Sequence, residues 1–249
     1  GYPGEILAKI SSFIPAKATL LDIGAGTGAF AIPLSRKNSR TIAVDPSTYQ
    51  LQILSEKARR EGLTNIFTIE KEWKNVQPSE ISGAGIFGVD ISGGANFRVD
   101  LSAVDIPLVD ISSANILSVD YSLAAYSLFD KDIENFLAKM IDVTKKGVFI
   151  VFRADSIDSL NEFAYGPRPC ADYHCLYHIL KDMGHQFDVI LFPRNYSLPI
   201  DLVFKQYRYS KRDRTELVGH LRREGRLQER EDGKWAAFST KDALLYLIR

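Results

Sequence analysis

Cysteine is scarce in this chain: Cys170 and Cys175 are the only two among 249 residues. Two cysteines are too few for a disulfide framework and favour a reducing compartment, which predicts a cytoplasmic protein. A run of 18 apolar residues is absent, as is the basic-then-apolar pattern of a secretory signal. These absences predict no membrane association. The chain opens on Gly1 without a methionine, so we expect that a natural N-terminal segment is missing.

An excess of either charge is also absent, because 31 Lys and Arg residues balance 31 Asp and Glu residues. The whole chain therefore has no field that attracts nucleic acid or an anionic membrane. One local exception is the stretch 205–230, where nine basic residues are interleaved with Tyr207 and Tyr209. RNA could bind such a stretch. Four acidic residues are mixed into it, and they favour a solvated helical face instead.

What the chain does contain is an alternation of apolar strands and amphipathic helices. This alternation predicts an α/β fold with a Rossmann-like, seven-stranded, doubly wound sheet. Ser47 is expected to cap the helix that Gly62 ends. Another helix is expected to begin at Ser197. The predicted strands are Thr19–Ile23, Thr41–Val44, Asn65–Ile69, Val119–Leu123, Gly147–Phe152, Phe187–Phe192 and Ala243–Ile248.

The sharpest local motif is the glycine turn Leu21-Asp22-Ile23-Gly24-Ala25-Gly26-Thr27-Gly28. Its glycines allow a tight turn after the first strand and a close approach of the backbone to a ligand. The next helix presents free N–H groups to an anionic or carboxylate-bearing group. Asp45 ends the second strand, where a carboxylate can accept hydrogen bonds from ribose hydroxyls. The motif therefore predicts a site for a nucleoside-containing cofactor.

A dinucleotide is one candidate for this cofactor, since Gly24-x-Gly26-x-x-Ala29 satisfies the G-x-G-x-x-G/A pattern. Two features argue against it. Asp22 places a carboxylate within the turn, where it would repel a pyrophosphate and attract a sulfonium or an amino group. The chain also has no second domain to hold a hydride acceptor.

The stretch 79–118 differs from the rest, because it repeats every five residues. In pentads it runs SEISG, AGIFG, VDISG, GANFR, VDLSA, VDIPL, VDISS and ANILS. The third place is Ile or Leu except at Asn96, and the first is small or β-branched. Five is neither a strand nor a helix period. The pattern favours a chain that turns a corner every five residues over an irregular Gly/Ser-rich insertion.

These pentads resemble the pentapeptide-repeat family, which winds a four-sided right-handed β-helix. The resemblance divides the chain into one domain at 1–78 and 119–249 and a small inserted β-solenoid at 79–118. Eight pentads make two coils, and solenoids generally need ~3 or more repeats to bury a continuous core. We therefore expect self-association through the insert, or support of the insert by the parent domain.

Outside the insert, the glycine turn resembles the first motif of class I S-adenosylmethionine-dependent methyltransferases. The chain looks closer still to an archaeal and clostridial branch of that family. The resemblance implies S-adenosylmethionine as cofactor, with its methionine part at Gly24 to Gly28 and its ribose at Asp45. The residues that carry the closer resemblance are Tyr2-Pro3, Ile23 to Gly28, Asp45-Pro46-Ser47, Asn65-Ile66, Glu72-Trp73, Ala124-Ala125-Tyr126-Ser127-Leu128 and Asp132-Ile133.

By the same resemblance, Glu72 and Trp73 flank the adenine, and the turn Ala124 to Tyr126 approaches the methyl group. Tyr126 is the candidate catalytic residue, with an ordinary solvated tyrosine as the alternative. The cofactor-binding candidates are Asp22, Gly24, Ala25, Gly26, Thr27, Gly28, Asp45, Pro46, Ser47, Glu72, Trp73, Ala124 and Ala125.

Cys170, His174, Cys175 and His178 form a cluster with ligand-like spacing. Successive turns of one straight helix place such side chains along a line, so an acceptor-facing wall is favoured over zinc, and no metal is predicted. The sequence thus predicts a methyltransferase that acts on a small molecule or a protein. The alternatives are an RNA methyltransferase that uses 205–230 and a non-catalytic, cofactor-binding scaffold.

Overall fold

The computed structural model describes residues 3–83, 118–128, 130–155, 158–167 and 171–249. These residues divide into two compact units. The glycine-turn unit comprises residues 11–148 and 248–249, and the C-terminal unit comprises residues 1–10 and 149–247. The helix α1 (Gly4–Phe13) and the strand β5 (Thr144–Arg153) each contribute residues to both units.

The glycine-turn unit alternates parallel strands with helices. Its strand order is β3-β2-β1-β4-β5, and β1 runs parallel to both β2 and β4. Leu20, Leu21 and Ile42 are fully buried, as expected for parallel strands covered on both faces. Its elements are β1 (Thr19–Ile23), α2 (Ala31–Ser35), β2 (Arg40–Val44), α3 (Thr48–Arg60), β3 (Ile66–Ile69), a 3-10 turn (Trp73–Asn75), α4 (Pro78–Gly83), β4 (Val119–Ala125) and α5 (Ile133–Asp142).

The C-terminal unit contains antiparallel pairing. The strand β8 (Gly233–Ile248) lies between β5 and β6 (Asp188–Pro199), and it runs antiparallel to β6 and to the short β7 (Leu227–Arg230). A small apolar cluster joins three of the four helices of this unit to β8, through Leu160, Val203, Leu217 and Leu221 among others. The helices are α6 (Ser159–Tyr165), α7 (Tyr173–Asp182), α8 (Ile200–Gln206) and α9 (Arg214–Arg223).

The α/β, Rossmann-like prediction is confirmed, and the seven predicted strands all exist in the described residues. The Ser47 hydroxyl caps α3 by accepting a hydrogen bond from the Gln50 N–H, 3.3 Å away. Gly62 follows the helix with a φ of 67°. The predicted boundaries of β1 to β4 are within two residues of the observed ones, whereas β5 begins at Thr144, three residues before the predicted Gly147.

Three predictions about elements are wrong. The strand β7 is an eighth strand that its polar sequence did not indicate. The helix predicted from Ser197 begins at Ile200, because β6 continues to Pro199 in register with Trp235 of β8. The first predicted pentad, residues 79–83, belongs to α4, where Ile81 is fully buried. The other pentads span residues 84–118, of which all but Ser118 lie outside the described part of the chain.

Candidate functional site

The site is built where four parallel strands end at one edge of the sheet. Ile23 at the end of β1 is in register with Val44 of β2 and with Ala124 of β4, and Val44 is in register with Ile69 of β3. The segments that follow these strands therefore lie side by side. In open α/β sheets this carboxyl edge is where ligands bind.

The glycine turn depends on backbone conformations that suit glycine. Gly24, Gly26 and Gly28 have φ values of 73°, 54° and 84°, all in the left-handed region. A Cβ on Gly28 would lie 2.7 Å from the Ile32 side chain, so this glycine also allows close packing on α2. The turn is fixed to β2, because the N–H groups of Gly24 and Ala25 donate to the Val44 carbonyl at 2.7 and 3.0 Å.

Asp45 links the glycine turn to the start of α3. One carboxylate oxygen accepts a hydrogen bond from the Gly26 N–H and the other accepts one from the Ser47 N–H, both at 2.9 Å. The side chain is nearly buried, with 9% of the residue exposed. A carboxylate has about four acceptor positions, so these two bonds leave capacity for further donors. Asp45 is therefore a structural tie as well as a candidate ribose ligand, and Pro46 beside it is exposed.

Asp22 lies beneath the turn with 2% of the residue exposed. The pKa of its carboxyl is raised to about 7, mainly by burial. The hydrogen bond that it accepts from the Ala31 N–H opposes this rise, and the charge of Asp45 adds to it. Its Oδ2 has no hydrogen-bond partner within the described residues. A buried carboxylate oxygen of this kind is stabilised by a nearby cation, which the chain's described residues do not supply.

The end of β4 meets the glycine turn directly. Ala124 is buried and Ala125 is half-buried, and Tyr126 next to them has a φ of 54°, which is uncommon for a residue other than glycine. The Ser127 hydroxyl donates to the Ile23 carbonyl at 2.6 Å. A Cβ on Gly24 would lie only 2.1 Å from the Ser127 Cβ. The turn after β4 and the glycine turn therefore fit together only if position 24 is glycine.

The structure corrects one predicted role, that of Trp73. This residue is 5% exposed, and its indole N–H donates to the Phe136 carbonyl at 3.2 Å. The Lys139 ammonium lies 4.4 Å from the centre of the indole ring. Trp73 therefore packs on α5 as a core residue, and it is not exposed to flank an adenine. Glu72 beside it is exposed and pairs with Lys74 at 2.7 Å.

The remaining candidates of the turn occupy distinct environments. Ala25 is buried, whereas Thr27 is half-buried and its carbonyl accepts a bond from the Lys57 ammonium at 2.9 Å. Sequence reasoning left two residues out of the site. Ser127 packs on Gly24, and the Gln50 amide oxygen would lie 3.6 Å from a Cβ on Gly26. Ser127 lies within the motif Ala124 to Leu128 but was given no role, and no motif contains Gln50. Only the register of β1 with β4 and the start of α3 bring the two residues to the turn.

The cysteine and histidine cluster does not assemble into a metal centre in the part of the chain that is described. His174 pairs with Asp172 at 3.1 Å, Cys175 is exposed, and no group of three ligand-type side chains converges there. Cys170 falls outside the described residues. Within the same part of the chain, no helix is long and apolar enough to cross a membrane.

Comparisons with known proteins agree with this geometry. Residues 20–88 match the profile of a family described as a methyltransferase domain. An uncharacterised protein of Haemophilus influenzae is 39% identical over 72 residues, which are 29% of this chain and 26% of that protein. The chain thus spans about a quarter of the length of that relative.

Solved structures share the fold at low sequence identity. The YcgJ protein of Bacillus subtilis is 16% identical with a TM-score of 0.60, covering 98% of this chain and 97% of that one. A putative methyltransferase of Bacillus halodurans is 11% identical with a TM-score of 0.60, covering 99% and 98%. Residues 20–88 are therefore similar to a methyltransferase domain, and the two solved structures show that the fold is shared.

Proposed function

We propose that the chain binds S-adenosylmethionine at the carboxyl edge of the glycine-turn unit and transfers its methyl group to a small molecule or a protein side chain. One observation carries the proposal. A turn of three left-handed glycines, tied by Asp45 to α3, lies above the buried Asp22 carboxylate, whose Oδ2 lacks a partner in the described residues. This arrangement suits a ligand that is a nucleoside at one end and a cation at the other.

The residues present fit this cofactor better than they fit a dinucleotide. S-adenosylmethionine carries a sulfonium and an ammonium, and either cation stabilises an ionised Asp22. A pyrophosphate would bring further negative charge close to Asp22 and Asp45, and the repulsion between like charges would weaken its binding. The glycine turn is compatible with both ligands. The negative charges of Asp22 and Asp45 therefore favour S-adenosylmethionine over a dinucleotide.

Each part of the site then has a proposed role. The backbone of Gly24 to Gly28 approaches the methionine part, and Asp45 accepts hydrogen bonds from the ribose. Glu72, which is exposed, contacts the adenine end, and Trp73 supports that segment from the core. The turn from Ala124 to Tyr126 borders the reacting end, where Tyr126 orients the acceptor.

Methyl transfer requires little of the protein beyond positioning the methyl donor and the acceptor. Bound S-adenosylmethionine supplies a methyl group that is already activated by its positive sulfur. The residues of the site therefore have to hold the acceptor atom in line with the methyl carbon and the sulfur, and they have to exclude water. A general base is needed only for an acceptor that keeps its proton at neutral pH.

Calorimetry with S-adenosylhomocysteine and NAD tests the cofactor. We expect S-adenosylhomocysteine to bind with a dissociation constant on the order of micromolar, which corresponds to about 8 kcal/mol, and NAD not to bind. Tighter binding of NAD would overturn the assignment. Release of S-adenosylhomocysteine during incubation with pooled metabolites or with pooled peptides tests the transfer. Tight cofactor binding without turnover in either pool would instead favour a non-catalytic scaffold.

A further inference from the structure

We propose that the outward face of α9 in the C-terminal unit docks on double-stranded DNA. This inference does not depend on the proposed methyl transfer, because every residue that it uses lies in the C-terminal unit and its readout is binding alone.

The order of elements around α9 is the first observation. The strand β6 ends at Pro199, and α8, a turn, α9 and the β7–β8 hairpin follow it without interruption. The strand β8 pairs on one side with β6 and on the other with β7. Helices α6, α8 and α9 share the apolar cluster, with Leu160, Val203 and Leu217 among its members. This order of elements resembles that of a winged helix-turn-helix, with a longer connection of residues 207–213 between α8 and α9. In such motifs the second helix of the pair enters the major groove.

The outward face of α9 is the second observation. Leu217 and Leu221 are buried, which turns the opposite side of the helix to solvent. A groove of about 400 Å³ runs along this side, lined by Phe204, Arg214, Thr215, Val218, Gly219 and Arg222. Its lining contains two arginines and no acidic residue. The Arg214 guanidinium lies 5.0 Å from the centre of the Phe204 ring and is held against α8.

Three of the four acidic residues of the stretch 205–230 have partners outside the groove lining. Asp213 caps α9 by accepting from the Glu216 N–H at 2.8 Å. Glu216 accepts from the Asp213 N–H and pairs with Arg212 at 3.2 Å. Glu224 accepts from the Ser159 hydroxyl at 2.8 Å and from Arg226 at 3.1 Å. None of these three carboxylates lines the groove, whose charged lining residues are Arg214 and Arg222.

The geometry of the nucleic acid selects DNA. A helix such as α9 is about 10–12 Å in diameter with its side chains, which fits the major groove of B-form DNA, about 12 Å wide. The major groove of A-form RNA is too narrow for a helix. The hairpin is not part of the proposed contact, because Glu231 and Asp232 lie at its tip.

Fluorescence anisotropy of a short labelled DNA duplex, titrated between about 50 and 200 mM salt, tests the proposal on the full chain. We expect wild-type binding to weaken steeply with salt. The variant R214Q/R222Q should lose roughly tenfold in affinity at low salt, and its slope of log affinity against log salt should be shallower by about 2. R214K/R222K should keep most of the affinity, since lysine also binds phosphate.

A matched control is R59Q/R60Q, which removes two exposed charges from α3 in the glycine-turn unit. It should leave DNA affinity unchanged, and the thermal transition of all three variants should match that of the wild type. Equal losses in R59Q/R60Q and R214Q/R222Q would show a general charge effect and overturn the proposal. An A-form RNA duplex that binds as tightly as DNA would overturn it as well, as would a wild type that binds no duplex.

Discussion

At the scale of single residues, Asp22 couples the site to pH. Its pKa of about 7 in the folded chain lies above the ordinary value of 3.8, because burial disfavours the charged form. The protonated carboxyl therefore contributes stability that is fully present below pH 3.8 and is lost as the pH rises to about 7. Above that pH the folded chain holds a buried negative charge, which a cationic ligand stabilises.

This coupling predicts that cofactor binding requires Asp22 to be ionised. We expect the affinity for S-adenosylmethionine to fall roughly tenfold for each pH unit below the pKa of Asp22. Near neutral pH, binding should release a proton, which calorimetry in two buffers with different ionisation enthalpies measures. The control variant Asp22→Asn has the same shape without the titration. It should bind more weakly at high pH and show neither the pH dependence nor the proton release; an unchanged pH dependence in Asp22→Asn would contradict the prediction.

Asp45 has a structural role beside its proposed ribose contact. Because both oxygens hold backbone N–H groups, Asp45→Ala should lower the free energy of unfolding by about 1–3 kcal/mol as well as weaken cofactor binding by about 1.5–3 kcal/mol. Asp45→Asn keeps one acceptor oxygen and should retain more stability than Asp45→Ala. Denaturant unfolding and S-adenosylhomocysteine titration measure the two effects, and an alanine variant as stable as the wild type would exclude the structural tie.

At the scale of elements, the contact between Gly24 and Ser127 couples the loops that follow β1 and β4. Gly24→Ala places a Cβ 2.1 Å from the Ser127 Cβ. The variant should lose about 2–4 kcal/mol of stability and most of its cofactor affinity, because the turn has to move. Adding Ser127→Gly removes the obstructing atom, since the nearest remaining atom on residue 127 is its Cα at 3.4 Å.

We therefore expect the double variant G24A/S127G to recover most of the loss, with about 1 kcal/mol remaining for the positive φ. The matched control G24A/S127A keeps the Cβ and should recover nothing. Thermal unfolding and cofactor titration of the four proteins provide the measurement. Equal behaviour of the two double variants would show that backbone strain, and not the contact, requires glycine at position 24.

The elements that could be predicted from sequence are those whose own residues determine them. The strands β1 and β2 are short apolar runs buried on both faces, and Ser47 and Gly62 mark the ends of α3 locally. By contrast, β7 is composed of Leu227 followed by polar residues, and it is a strand because β8 pairs with it. The extension of β6 to Pro199 likewise depends on β8, which is distant in sequence.

The same distinction applies to the site. The glycine turn and Asp45 form a motif whose spacing is visible in the sequence. The burial of Trp73 depends on α5, more than 60 residues later, and the position of Ser127 depends on the register of β1 with β4. Contacts between residues far apart in the chain leave no local pattern, so neither was predicted correctly.

At the scale of the whole molecule, α4 is the last described element of the glycine-turn unit before the predicted insert. Arg40 donates to the Ser82 carbonyl at 3.1 Å, and Lys71 pairs with Glu80 at 2.6 Å. With the buried Ile81, these contacts tie α4 to the unit. The solenoid proposed from the pentads is therefore limited to residues 84–117, with Gly83 and Ser118 as its neighbours in the chain.

This boundary predicts different results for two deletions. Replacing 84–117 by a Gly-Ser linker should leave S-adenosylhomocysteine affinity unchanged and should abolish self-association, because an open-ended coil exposes strand edges that need cover. Replacing 79–118 also removes Ile81 and the Lys71 ion pair, and should cost about 2–5 kcal/mol of stability. Light scattering after size-exclusion chromatography, thermal unfolding and cofactor titration distinguish the two. If the shorter deletion cannot bind cofactor, residues 84–117 form a wall of the adenine site, and the division between the unit and its insert is wrong.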